Sequence, residues 1–149
     1  MKKEDLHGYV PAIATPFNEK GKIMDDAFTE LFEFLIGRGA TTICIAGDNG
    51  ESWALDATER GHLVRLAKDI AKDRVKVMMG ISAPTIDASL AYVRTAEENG
   101  ADVLLSMPQT YVLKASEAEL MARFDKVSAE TNKPLVLYNS PRRMGFSLN

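Results

Sequence analysis

Short apolar runs alternate along this chain with longer stretches in which apolar residues return every third or fourth position. The runs predict strands at residues 9–15, 42–46, 75–81, 103–107 and 135–138, and the periodic stretches predict amphipathic helices between them. The first helix opens at Asp25, sets Ala27, Phe28, Leu31, Phe34 and Leu35 on one side, and stops at Gly37 and Gly39. Asp56 with Glu59, and Ser116 with Glu119, have capping-box spacing. In such a box the first side chain accepts from the helix's free N–H groups and the second reaches back. The Asp56 helix carries Leu63, Val64, Ala67, Ile70 and Ala71 as its buried stripe, and the Ser116 helix carries Leu120, Phe124 and Val127. Between them a helix from Thr85 presents Ala88, Leu90, Val93 and Ala96. Arg38-Gly39-Ala40 and Asn99-Gly100-Ala101 repeat one turn ahead of a strand.

Strand then helix, every thirty or so residues, is a run of βαβ units and therefore a parallel sheet with helices outside it. All 149 residues read as a single domain with no linker and no low-complexity tract. Two architectures fit. A doubly wound open sheet of five strands would be complete at this length, whereas a (β/α)8 barrel takes about 250 residues. Against that, Thr15, residues 47–52, Ser82, residues 107–111 and Tyr138-Asn139 all fall just past strand C-terminal ends, where a barrel would gather them at one mouth.

A composition of 46% hydrophobic and 26% charged residues is that of a globular protein, and a net charge of -3 gives no reason to expect nucleic acid as a partner. No apolar run reaches the length of a membrane span and no signal-peptide pattern opens the chain, so no membrane association and a cytoplasmic location are expected. The single cysteine, Cys44, lies mid-strand and reads as a small core residue rather than a reactive thiol. His7 and His62 have no partners at metal-ligand spacing, so neither a metal nor a cofactor is expected.

The chemistry gathers where residues 42–46 empty into Gly47-Asp48-Asn49-Gly50-Glu51-Ser52. Glycines bracketing a polar loop after a strand let backbone N–H groups converge on an anion; a plain strand-to-helix turn is the alternative. Trp53 is expected to pack over this loop.

The chain also carries five ordered motifs. They are Pro11-Ala12-Ile13-Ala14-Thr15-Pro16-Phe17; Gly47-x-x-Gly50-Glu51-Ser52 followed by Leu55 and Glu59-Arg60; Gly100-Ala101-Asp102; Pro108 with Tyr111; and Tyr138-Asn139-x-Pro141 with Arg143 and Gly145. In these the chain resembles the dihydrodipicolinate synthase/N-acetylneuraminate lyase family, Schiff-base (class I) aldolases and lyases of pyruvate and related 2-oxo acids. The resemblance implies an incomplete (β/α)8 TIM-type barrel of about five strands and four helices, the N-terminal portion of the family fold. It implies pyruvate as substrate and a homo-oligomer, a tetramer in the family. Tyr138 becomes the tyrosine that relays protons at the carbon attacked in Schiff-base formation, a task a phenol performs without a standing charge. Gly47, Asn49, Gly50 and Glu51 become the loop that holds the 2-oxo acid carboxylate, with Glu51 more a backbone cap than an acid or base. Tyr111 corresponds to the tyrosine that reaches into a neighbouring subunit's site, and Arg143 to the arginine that steadies a second substrate's carboxylate.

Asp48 and Asn49 depart from the pattern, standing where many members have two threonines. An anion at Asp48 repels a carboxylate unless it is turned away or protonated. This leans the reading away from dihydrodipicolinate synthesis and toward another 2-oxo acid aldolase, lyase or dehydratase. Asp48 is a candidate catalytic residue, with a bond to its own loop backbone as the alternative.

A Schiff base also needs a lysine in a desolvated pocket at a strand end. By resemblance that lysine lies a couple of dozen residues beyond Tyr138, on a sixth strand, and none of the chain's ten lysines matches it. Lys68 and the others read as surface charges. The chain is therefore expected to be an N-terminal fragment, inactive alone, with an apolar strand edge at residues 135–137. The alternative is a non-catalytic open α/β module binding a small carboxylate or phosphate at Gly47–Ser52.

Overall fold

The computed structural model describes residues 6–108 and 115–148. Four strands, β1 Thr42–Ile45, β2 Lys76–Gly80, β3 Val103–Ser106 and β4 Leu135–Leu137, form one parallel sheet in the order of the sequence. The helices α1 Asp25–Gly37, α2 Ala57–Ala71, α3 Ile86–Glu98 and α4 Glu117–Ala129 alternate with them. A fifth, α5 Pro141–Met144, is a single turn in the basic stretch for which the sequence predicts nothing regular.

The two faces of the sheet differ in kind. Ile43, Ile45, Val77, Met79 and Leu104 point into the main core and meet Phe28 and Phe32 of α1, Leu63 and Val64 of α2, Val93 of α3 and Val127 of α4. Each such side chain, fully buried, contributes roughly 1.5–3 kcal/mol. The opposite face carries Cys44, Met78 and Val103, packed by Leu6, Leu105 and Val136 and by no helix among the described residues. A doubly wound sheet reverses its strand order and is covered on both faces. Sequential order with helices on one face is the wall of a barrel, and it decides between the two architectures.

The predicted capping boxes are present in full. Asp56 accepts from Glu59 N at 2.8 Å while Glu59 accepts from Asp56 N at 3.1 Å, and Ser116 with Glu119 does the same. Both repeated turns close alike: Gly39 and Gly100 stand at φ 84, and the next N–H returns to the carbonyl five residues back, Ala40 to Leu35 and Ala101 to Ala96.

Four expectations change. Residues 9–15 are not a regular strand. They make two isolated parallel bridges, Tyr9 with Ala40 and Ala12 with Cys44, and the pairing slips by one residue between them. Pro11, which has no N–H to donate, lies inside that slip, although its carbonyl still accepts from Cys44 N at 2.9 Å. On α1 the buried stripe is Phe28, Phe32 and Leu35, while Phe34 is 54% exposed beneath the Arg38 guanidinium. Lys68 is not a free surface charge: its ammonium bonds both oxygens of Asp102 at 2.9 and 3.1 Å, and Asp102 also accepts from Val77 N at 2.8 Å. Trp53 is 77% exposed, so its ring is not buried over the loop, although it lines a second pocket with Asp48 and Ser52.

Candidate functional site

The loop after β1 is bent against the preference of its residues. Ala46 at φ 49 and Glu51 at φ 52 are left-handed, at a cost of roughly 1–2 kcal/mol each for a residue with a Cβ. Between them Asp48–Gly50 makes one 3-10 turn, and Ser52–Ala54 makes another just beyond. Gly47 O accepts from both Gly50 N at 3.0 Å and Ser52 N at 3.2 Å, so the loop closes on its own backbone. Gly50 is needed for space: a Cβ there would lie 3.0 Å from Ile13 O and 3.2 Å from Thr15 Oγ1. Thr15 uses that proximity, its buried hydroxyl donating to Gly50 O at 2.7 Å. At the head of the first turn, the N–H groups of Asp48 and Asn49 make no hydrogen bond to any described residue.

A cavity opens beside this loop at the C-terminal ends of the strands, with roughly 420 Å³ of free space, part of it open to solvent. Gly47, Asp48 and Asn49 line it from one side, Ser82 from beyond β2, Tyr138 from the end of β4 and Arg143 from α5. The ends of β2 and β3 are tied together here, Met107 N donating to Ser82 Oγ at 2.8 Å. Tyr138 is fixed by its backbone N–H, which donates to Ser106 O at 2.8 Å.

Asp48 neither turns away nor bonds its own loop. Its Oδ2 accepts from Arg143 Nη1 at 3.1 Å, and Arg143 Nη2 reaches Asn49 Oδ1 at 3.5 Å. The helical turn that presents Arg143 begins with Pro141 and ends at Gly145 with φ 76, so its boundaries are set by a fixed φ at one end and a left-handed residue at the other. The ion pair is half exposed, 51% and 33% for the two side chains, so its worth lies in neutralising the Asp48 charge at the mouth more than in stability.

The structure thus brings together five of the predicted residues: Gly47, Asp48, Asn49, Tyr138 and Arg143. Gly50 is buried and does not line the cavity, and Glu51 is exposed with no hydrogen bond from its carboxylate to a described residue. Tyr111 lies outside the described residues. No lysine among the described residues lines the cavity. Cys44 is 3% exposed and its thiol is pushed up to about 12, by burial first and by Asp48 second, which makes it inert packing. Arg60, to which the sequence reading gave no role, is 1% exposed directly behind the loop. Its signal is a charged residue one turn before Leu63 and Val64 on an otherwise apolar stripe.

Comparison with known proteins places the chain. Residues 5–149 match the model of the dihydrodipicolinate synthetase family. The 4-hydroxy-tetrahydrodipicolinate synthase of Salinibacter ruber is 33% identical over 143 residues, covering 96% of this chain and 47% of that protein. The enzyme of that name from Chlorobium phaeovibrioides is 29% identical over all 149 residues, which is 50% of its length. Among solved structures, a prophage protein of the dihydrodipicolinic acid synthase family from E. coli, in complex with pyruvate, superimposes with a TM-score of 0.90 at 29% identity, covering 97% of this chain and 48% of that one. A chloride-inhibited dihydrodipicolinate synthase from Acinetobacter baumannii, also complexed with pyruvate, gives 0.88 at 26% identity over 95% and 48%. The chain spans about half the length of the relatives it matches. With its sheet wall covered on one face and its polar residues gathered at the strand ends, it is an incomplete TIM-type barrel and belongs to the dihydrodipicolinate synthetase family.

Proposed function

We propose that this chain is the carboxylate-binding half of a Schiff-base (class I) aldolase or lyase acting on pyruvate or a related 2-oxo acid. The observation that carries the reading is that Asp48 and Asn49, whose N–H groups bond no described residue, line one cavity at the strand C-terminal ends together with Tyr138 and Arg143. The substrate carboxylate sits against the two N–H groups, which aim partial positive charge at a fixed point. A lysine supplied from beyond this chain attacks the 2-oxo carbon, and Tyr138 donates and recovers the proton as the carbinolamine forms and loses water. Arg143 holds Asp48 neutralised at the entrance and is a ready partner for a carboxylate that displaces it.

Tyr111 and the homo-oligomer, a tetramer by resemblance, belong to the same proposal, as does a cytoplasmic location. Among the described residues no helix is long and apolar enough to cross a membrane. Asp48 in place of a neutral hydroxyl leans the proposal toward another 2-oxo acid aldolase, lyase or dehydratase rather than dihydrodipicolinate synthesis.

The test is borohydride reduction in the presence of pyruvate, read by intact mass. The 149-residue chain alone should bind pyruvate and take no covalent adduct, and adding the downstream segment should restore labelling on a lysine of that segment. An adduct on one of the chain's own lysines would overturn the division of labour. Binding without labelling in the reconstituted protein would leave a non-catalytic carboxylate module.

A further inference from the structure

A loop with two left-handed non-glycine residues keeps its shape only where its surroundings over-determine it. Thr15 holds one side, and the other is held by a single guanidinium. Arg60 Nε donates to Leu55 O at 3.3 Å, Nη1 to Gly80 O at 2.6 Å and Nη2 to Ser52 O. These three carbonyls belong to the far end of the loop and to the last residue of β2. The guanidinium carbon lies 3.8 Å from the centre of the Tyr92 ring on α3, which closes the fourth side. No carboxylate pairs with Arg60 among the described residues, so its charge is buried behind the loop with carbonyl dipoles, the Tyr92 ring face and a hydrogen bond to the Tyr92 side chain to receive it. Gly80 is the point of closest approach between β2 and the loop: an added Cβ would fall 2.1 Å from Ala46 O. Tying Gly80 to Ser52 and Leu55 therefore fixes the loop against the one strand it touches most closely.

We propose that Arg60 is a positioning residue for the carboxylate site: it fixes the far arm of the loop to the end of β2, so aiming the Asp48 and Asn49 N–H groups, and it places an unmatched positive charge behind them. This rests on the carboxylate reading of the loop, which the aldolase and the simple binding module share. Lysine cannot stand in, because one compact ammonium does not span carbonyls lying in three directions.

The experiment is amide hydrogen exchange by NMR on the full 149-residue chain, wild type against Arg60→Lys, followed by a pyruvate titration of both. Exchange at Gly50 and Ser52 should rise about tenfold or more while Val77 and Met79 in β2 hold their rates, and the pyruvate dissociation constant should rise by a similar factor. Unchanged loop exchange overturns the proposal. So does an equal rise in loop and sheet, which is what a purely structural arginine produces. If Arg60→Lys does not fold, Tyr92→Leu decides: it removes the ring and the side-chain hydrogen bond that seat the guanidinium against its three carbonyls. Selective loosening of the loop then supports the proposal, and none overturns it. If the wild-type chain binds no pyruvate, the carboxylate reading fails separately, and the exchange result still decides whether Arg60 sets the loop.

Discussion

Alanine at Gly80 puts a methyl group where the loop backbone already is. The added Cβ would stand 2.1 Å from Ala46 O, 2.8 Å from Ala46 C and 3.1 Å from Gly47 Cα, against 3.4–4 Å for ordinary contact. The Ala46 carbonyl must therefore retreat by more than 1 Å from a buried position, in a loop whose next carbonyl already accepts two hydrogen bonds. Gly80 is not left-handed, so the effect is steric and not a matter of allowed dihedrals. Overpacking of this kind costs about 3 kcal/mol, the upper part of the usual range, because the obstacle is backbone and not the end of a flexible side chain. Gly37 is the internal control. It closes α1 with nothing within 4 Å of its would-be Cβ, and alanine there should stabilise by about 0.4–1 kcal/mol through the unfolded chain. Urea unfolding followed by circular dichroism gives both numbers from midpoints at constant m-value. A Gly80→Ala chain within about 0.5 kcal/mol of wild type, the range of neutral surface changes, would refute the close approach of β2 to the loop.

Three further outcomes follow from the same geometry. Arg143→Met should weaken pyruvate binding about fivefold, since an uncompensated Asp48 about 4 Å from a carboxylate costs about 1 kcal/mol in water-like surroundings, and adding Asp48→Asn should restore it; calorimetric titration without restoration rejects the pairing. Asp102→Ala strips the acceptor from Lys68 and from Val77 N, and should cost about 1–3 kcal/mol in thermal unfolding. Lys68→Met should cost less, because Val77 keeps its acceptor, and the reverse order would be fatal to this account. Cys44, its thiol raised from 9.0 to about 12, should react with an aromatic disulfide reagent about a hundredfold more slowly in the native chain than in urea. Because the folded state holds that proton more tightly, stability is constant below about pH 9 and falls as pH rises toward about 12, and Cys44→Ser should remove that slope.

What could be read from the sequence was what short-range chemistry encodes. The capping boxes at Asp56 and Ser116, the paired turns at Gly39 and Gly100 and four of the five strands need only residues a few positions apart, and they stand as expected. Residues 9–15 are apolar enough for a strand, but Pro11 has no N–H for the ladder and the pairing slips around it. The turn at Pro141–Met144 had its Pro and Gly signals but is too short to show a period. In the site, the glycine loop and Tyr138 were legible from motif. The Asp48–Arg143 pair was not, because 95 positions separate its members and no local pattern records which charge meets which. Arg60 was visible as a charge on an apolar stripe, but three backbone carbonyls as its partners have no sequence signature at all.

The order of the sheet bears on how such a chain comes together. Every strand pairs with the strand before it in sequence, so no pairing waits for a segment synthesised much later. Loop closures stay short and repetitive, the regime in which assembly is fast and can advance from the N-terminus during synthesis. On this route β1 pairs with β2 first, β3 and β4 extend the wall in turn, and Leu137 of β4 is left 46% exposed. The mouth is then assembled progressively: the loop after β1 closes with the second strand, and Tyr138 and Arg143 reach it two strands later.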